Sequence, residues 1–121
     1  MAVLPDTTED RLLGGRVTIF QPKGGYRAAI DPVLLAAAVP AGPTDTVLDV
    51  GAGIGAASLA LAARVDGVRI TGLELQGALA TLARASADAN GLGERVSFVD
   101  GDLLAPPGTL APGSFDHVMA N

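Results

Sequence analysis

From Thr46 onward the chain alternates between short apolar runs and segments of helical spacing, and this rhythm restricts it to one broad architecture. Thr46–Val50 reads as an apolar strand that runs into the glycine-rich turn Gly51–Gly55. Ile54–Arg64 places Leu59, Leu61, Ala62 and Ala63 at the spacing of a helix with a buried face. Val68–Glu74 reads as a second strand. Gly77–Asn90 reads as a second helix, with Leu79, Leu82, Ala83 and Ala87 on one side and an Asn90-Gly91 stop. Arg95–Val99 and Phe115–Ala120 follow as third and fourth strands, separated by the Pro- and Gly-bearing stretch Asp102–Gly113. Strands alternating with helices fold as βαβ units, so the predicted class is α/β with a mostly parallel sheet and right-handed crossovers. Ligands of such sheets bind off the carboxyl ends of the strands, where the strand order switches.

The first third of the chain is less regular. Residues 1–15 read as a lead-in ending at Gly14-Gly15, Arg16–Gln21 as a short strand and Pro22–Arg27 as a turn. Asp31 followed by Pro32 reads as an N-cap and a first helical position, opening a helix that Pro40 stops. The expected division is residues 1–30 as lead-in and short strand, and 31–121 as the ligand-binding part.

Composition narrows the chemistry. The 121 residues contain no cysteine and one histidine, His117, which excludes thiolate nucleophiles, disulfides and a His- or Cys-rich metal site. His117 itself reads as a packed strand residue. Residues 31–121 carry ten acidic against four basic side chains, whereas residues 1–30 carry three acidic against four basic. An acidic body disfavours tight nonspecific nucleic-acid binding, while the basic start leaves room for a local phosphate contact. No apolar run approaches membrane-spanning length, and no basic-then-apolar signal opens the chain, so no membrane partner and a cytoplasmic location are expected.

The informative residues fall at the strand ends. Gly51, Ala52, Gly53 and Gly55 form a turn that lets backbone approach a ligand closely. Gly51, Gly53 and Ala56 also satisfy a relaxed dinucleotide-binding pattern. Glu74 ends the second strand nineteen residues beyond Gly55, where a carboxylate can accept two hydrogen bonds from ribose hydroxyls. Asp102 follows the third strand, where a carboxylate can accept from an adenine amino group; Asp100 competes for that role.

These residues together resemble the class I S-adenosylmethionine-dependent methyltransferases. Val47–Gly55 is similar to their first motif, Glu74-Leu75 to the ribose-binding acid and its neighbour, and Asp102-Leu103 to the adenine-binding pair. The resemblance implies a Rossmann-like sheet with S-adenosyl-L-methionine as cofactor, S-adenosyl-L-homocysteine as product and no metal. It places Asp49 near the methionine amino group. Phe115–Asn121 is similar to the strand leading into the Asn-Pro-Pro-aromatic motif of amino methyltransferases, in which the Asn side chain accepts a hydrogen bond from the target amine. Asn121 would then be the catalytic residue; the prolines and the aromatic are missing. The chain supplies four of the family's seven strands, which implies the N-terminal part of a longer domain and an exposed edge at which a second copy is expected to pair as a homodimer.

Gly14-Gly15-Arg16, Gln21-Pro22, Gly24-Gly25-Tyr26-Arg27 and Ile30–Ala37 resemble the bacterial tRNA1(Val) adenine-37 N6-methyltransferases. By that resemblance Tyr26, Arg27 and Asp31 lie over the cofactor pocket, and the partner is tRNA or another RNA. A protein glutamine amide or an rRNA guanine amino group is the alternative acceptor. A noncatalytic cofactor-binding fragment and an NAD-dependent oxidoreductase module are the competing classes; Asp49 ahead of the glycines and Ala56 in place of a third glycine weigh against the last.

Overall fold

A computed structural model of the chain describes residues 6–24 and 27–121. Four strands form a parallel sheet: β3 (Thr46–Val50), β4 (Arg69–Glu74), β5 (Val96–Asp100) and β6 (His117–Ala120), in the spatial order β5-β4-β3-β6. Helices α2 (Ala56–Arg64) and α3 (Gly77–Ala89) make the crossovers. The chain steps outward from β3 to β4 and β5, then returns to β3's other side as β6. The strand order therefore reverses at β3, and a crevice opens at its carboxyl end. The alternating β-α reading holds, with boundaries moved by one or two residues.

The sheet's inner face explains the local sequence. In β3, Val47 and Asp49 are buried while their neighbours are partly exposed, the period-two pattern of a strand with one covered face. Leu59 and Leu61 of α2 are fully buried, each contributing roughly 1.5–3 kcal/mol relative to exposure. Gly72 lies opposite Asp49 in the β3–β4 register. A Cβ at Gly72 would stand 2.5 Å from the Phe98 ring, and one at Gly55 2.7 Å from the same ring. Phe98 thus fits between two glycines and seats the turn after β3 directly on the sheet.

The N-terminus departs from the sequence reading. Residues 7–12, read as lead-in, form strand β1 (Thr7–Leu12), which pairs antiparallel with β2 (Val17–Pro22) around a short turn at Leu13–Gly15. Residues 1–5 lie outside the described part. The pairing was hidden because β1 is polar on both faces, apart from Leu12. A side-chain ladder replaces a third strand at β2's other edge. Thr18 N–H donates to Asn90 Oδ1 (2.9 Å), Asn90 Nδ2 donates back to Thr18 O (2.7 Å), and Phe20 N–H donates to Ser86 Oγ (2.8 Å). The end of α3 therefore satisfies backbone groups that an edge strand leaves open.

Helix α1 (Asp31–Ala38) packs on α2. Its N-cap is Ile30 rather than Asp31, with no capping side chain; Asp31 occupies the first helical position and points its charge at the helix's positive end. Arg64 Nε donates to Ala36 O and tethers α2 to the end of α1 (3.3 Å). Arg95 donates to the carbonyls of Ala62, Val65 and Val68 around the end of α2. Among the described residues no helix is long and apolar enough to cross a membrane.

Candidate functional site

The crevice at the end of β3 is a cavity of about 650 Å³, within the span of small-molecule sites. Its glycine-rich wall comes from the turn between β3 and α2. Gly51 (φ +69°) and Gly53 (φ +59°) hold left-handed backbone that other residues rarely adopt, and among the described residues nothing lies within 4 Å of where their Cβ atoms would be. A ligand can therefore approach this backbone as closely as its own atoms allow.

The turn is fastened from below. Gly51 N–H and Ala52 N–H both donate to Leu73 O (2.8 and 3.0 Å). Gly53 N–H donates to Glu74 Oε1, and Gln76 N–H to Glu74 Oε2 (both 2.8 Å). One buried carboxylate thus ties the turn after β3 to the turn after β4, with one lone pair on each oxygen remaining. Gly55 N–H donates to Ala52 O (2.9 Å), and Gly55 packs on Phe98 instead of lining the cavity. Its missing Cβ serves the packing of the turn on the sheet.

Asp49 lies on the cavity floor, 2 % exposed, and accepts a hydrogen bond from Ser58 Oγ (2.7 Å). Burial pushes its carboxyl up to about 6; the Ser58 hydroxyl and amide oppose this, and the Glu74 charge adds to it. Ser58 was not singled out from sequence. Its one signal is being the polar residue in the first turn of an otherwise Ala- and Leu-rich helix.

Asp49, Gly51, Ala52 and Gly53 line the cavity together with Asp31 and Asn121. Asn121 therefore reaches the same space as the turn although it follows a different strand. Glu74, 7 % exposed, braces the glycine-rich wall through Gly53 and Gln76 and is not among the residues lining the cavity. Other predicted residues lie elsewhere. Leu75 and Leu103 are 68 % and 58 % exposed and do not line the cavity. Asp102 also lies outside it, and its Oδ1 accepts from Leu104 N–H (3.0 Å), the bond of a turn-former. Its competitor Asp100 pairs with Arg84 (3.1 Å). Arg27, expected over the pocket, instead turns back to the hairpin, donating to Pro22 O (2.6 Å) and Asp10 Oδ2 (2.9 Å). Tyr26 lies outside the described residues. Sequence reasoning missed Pro22, Gly24, Ala28 and Leu79 as lining residues, because small and apolar side chains carry no chemical signal, and Gln76, a polar residue in no motif.

His117 lies at the opposite end of the sheet, with Nε2 2.9 Å from Asp45 Oδ2. It pairs with a carboxylate instead of simply packing. The Asp45 carboxyl is held below the usual range by Gly42 N–H and by His117. Among the described residues no group of three or more His, Cys, Asp or Glu side chains could hold a metal ion.

A sequence profile described as "Methyltransferase domain" matches residues 47–121. Among curated relatives, a tRNA1(Val) (adenine(37)-N6)-methyltransferase of Porphyromonas gingivalis is 34% identical over 112 residues, covering 88% of this chain and 44% of the relative. A release factor glutamine methyltransferase of Chlorobaculum tepidum is 35% identical over 89 residues, covering 73% of this chain and 30% of the relative. The chain thus spans less than half the length of these relatives. Among solved structures, the YcgJ protein of Bacillus subtilis superposes with a TM-score of 0.63 at 26% identity, over 74% of this chain and 36% of that one. A Streptomyces coelicolor geranyl diphosphate C-methyltransferase, crystallised with S-adenosyl-L-homocysteine, superposes with a TM-score of 0.57 at 27% identity, over 63% of this chain and 29% of that one. The glycine turn, the acids at the ends of β3 and β4 and these likenesses agree: the chain belongs to the class I S-adenosylmethionine-dependent methyltransferase family.

Proposed function

We propose that the cavity holds S-adenosyl-L-methionine and that the protein methylates an amino group presented at Asn121, with adenine N6 of a tRNA as acceptor. The observation that carries this reading is that Asn121 lines the same cavity as Asp49, Gly51 and Gly53. The cofactor fits the residues present: the open space before Gly51 and Gly53 admits it against the backbone, and Asp49 offers a carboxylate on a buried floor. When bound, it supplies a methyl group on a sulfonium, an electrophile that needs no strong base at the acceptor.

The chain's own residues then act by placement. Ionised Asp49 accepts from the ligand's ammonium, while Ser58 holds its carboxylate in position. Glu74 keeps Gly53 and Gln76 fixed and turns its remaining lone pairs to ribose hydroxyls. Leu75, Asp102 and Leu103 stand beyond the cavity at the ends of β4 and β5, where an adenine extending outward would meet them. The Asn121 side-chain oxygen accepts a hydrogen bond from the target amine and aims its lone pair at the methyl group. Orientation of this kind supplies much of the rate in a two-reactant transfer. The base is presented out of its stack.

A protein glutamine amide is the second reading. It is supported by the glutamine methyltransferase relative and by the same demand for a planar amino group at Asn121. Two measurements test the proposal. S-adenosyl-L-homocysteine raises the melting temperature and NAD does not; stabilisation by NAD alone overturns it. Radiolabelled methyl transfer is then compared on transcribed tRNA and on a glutamine-bearing release-factor peptide. Transfer to the peptide alone replaces the tRNA reading. Asn121→Ala is expected to lose transfer by about 100-fold while keeping S-adenosyl-L-homocysteine binding.

A further inference from the structure

Across the cavity from the glycine turn, a second wall comes from the end of β2, the start of α1 and described residues between them. Pro22 and Gly24 line the cavity from the β2 side, and Ala28 and Asp31 from the α1 side. Neither flank belongs to the four-stranded sheet, so something else must hold both at the cavity mouth. The hairpin's inward face supplies it. That face pairs Leu12 with Val17, Asp10 with Ile19 and Thr8 with Gln21. It is apolar where it meets the core and turns polar toward the cavity.

At the polar end one oxygen gathers three donors. Asp10 Oδ2 accepts from Thr8 Oγ1 (2.6 Å), Gln21 Nε2 (2.9 Å) and Arg27 Nη2 (2.9 Å). The same side chains then reach both flanks. Arg27 Nη1 donates to Pro22 O (2.6 Å), and Ala28 N–H donates to Gln21 Oε1 (2.9 Å). Gln21 is 4 % exposed, so its amide is committed to this network. Asp10 is the common partner that sets the amide's orientation and draws the guanidinium across.

We propose that Asp10, acting through Gln21 and Arg27, is a positioning clasp that holds this second wall against the cofactor and sets how long the cofactor stays bound. The inference rests on the reading of the cavity as the S-adenosylmethionine site. Asp10 itself touches neither cavity nor ligand. The hydrogen bonds from Thr8 and Gln21, with Arg27 beside them, hold its carboxyl below the usual range, consistent with a committed acceptor. A clasp on an exposed segment opens locally without unfolding the sheet, so its loss raises dissociation more than it slows association.

The test uses Asp10→Asn, Arg27→Gln and the double variant, with two readouts. Hydrogen exchange on the ligand-free protein is expected to quicken at Ala28 N–H in Asp10→Asn, with β3 and β4 amides unchanged. S-adenosyl-L-homocysteine dissociation is expected to quicken about three- to tenfold in each single variant. The double variant is expected to match the singles, because both act in one network. Unchanged exchange at Ala28 overturns the clasp whatever the ligand does. So do unaltered dissociation rates, or effects that multiply in the double variant. Failure of the wild-type protein to bind S-adenosyl-L-homocysteine overturns the cofactor reading, and with it the clasp's proposed role.

Discussion

Two walls face each other across the cavity, and they are held by different means. The wall after β3 is backbone: left-handed glycines fastened by Leu73 O and by one buried carboxylate, Glu74. The wall at the end of β2 is side-chain work: Asp10, Gln21 and Arg27 hold residues that lie outside the parallel sheet. The first wall is braced by the core and the second by a buried amide, Gln21, held between the partly exposed Asp10 and Arg27. Damage to the first should therefore disable the fold or the site, whereas damage to the second should change rates.

The largest effect is expected where the first wall meets the core. Gly55→Ala drives a Cβ against Phe98 at a φ of +87°, and is expected to cost about 3 kcal/mol of stability. Urea unfolding measures this; a cost below about 1 kcal/mol would show that Phe98 yields and that the wall is softer than its geometry. Glu74→Ala comes next. It strips the acceptor from Gly53 N–H and Gln76 N–H, each worth about 1–3 kcal/mol when left unsatisfied. S-adenosyl-L-homocysteine affinity is expected to fall about 100-fold by calorimetry. An unchanged affinity would remove Glu74 from both the ribose and the wall.

The floor between the walls gives a pH test of intermediate size. Asp49 keeps its proton up to about 6 in the folded chain, against about 3.9 unfolded. Between these values the folded state holds more protons, so stability falls as pH rises from about 4 to 6 and levels above. Binding an ammonium needs the ionised form, so S-adenosyl-L-homocysteine affinity should rise about tenfold from pH 5 to 7. Asp49→Asn should flatten both curves. A pH-independent affinity in the wild type would place the ammonium elsewhere.

The smallest effect belongs to the hairpin behind the second wall. Asn90→Ala removes the bonds to Thr18 and is expected to cost about 1 kcal/mol, with faster exchange at Thr18 and little change in β3. Equal losses in hairpin and sheet would mean that the two walls unfold as one unit.

The first wall was largely legible in the sequence. Val47–Gly55 and Glu74 announce themselves because their residue types are dictated locally, glycine by φ and the acid by its place at a strand end. The second wall was not. Arg27 was expected over the pocket, yet it turns away because Asp10 lies across the hairpin from it in space and seventeen residues off in sequence. β1 escaped notice because a strand stabilised by a neighbour's backbone and by polar side chains needs no apolar alternation. Asp102 shows a different limit: its place after β5 is legible in the sequence, whereas the bond from Leu104 N–H to its Oδ1 is not.

By itself the sequence determined the βαβ order, the glycine turn, the acids at the ends of β3 and β4, and hence the family, because these depend on short-range rules of periodicity and backbone conformation. Tertiary structure alone decided which of those residues share a cavity. The reversal of strand order at β3 brings Asn121 to Asp49, and the docking of β2 on Ser86 and Asn90 carries a second wall over them. Such neighbours meet only after the chain has crossed the sheet, so no local pattern could record them.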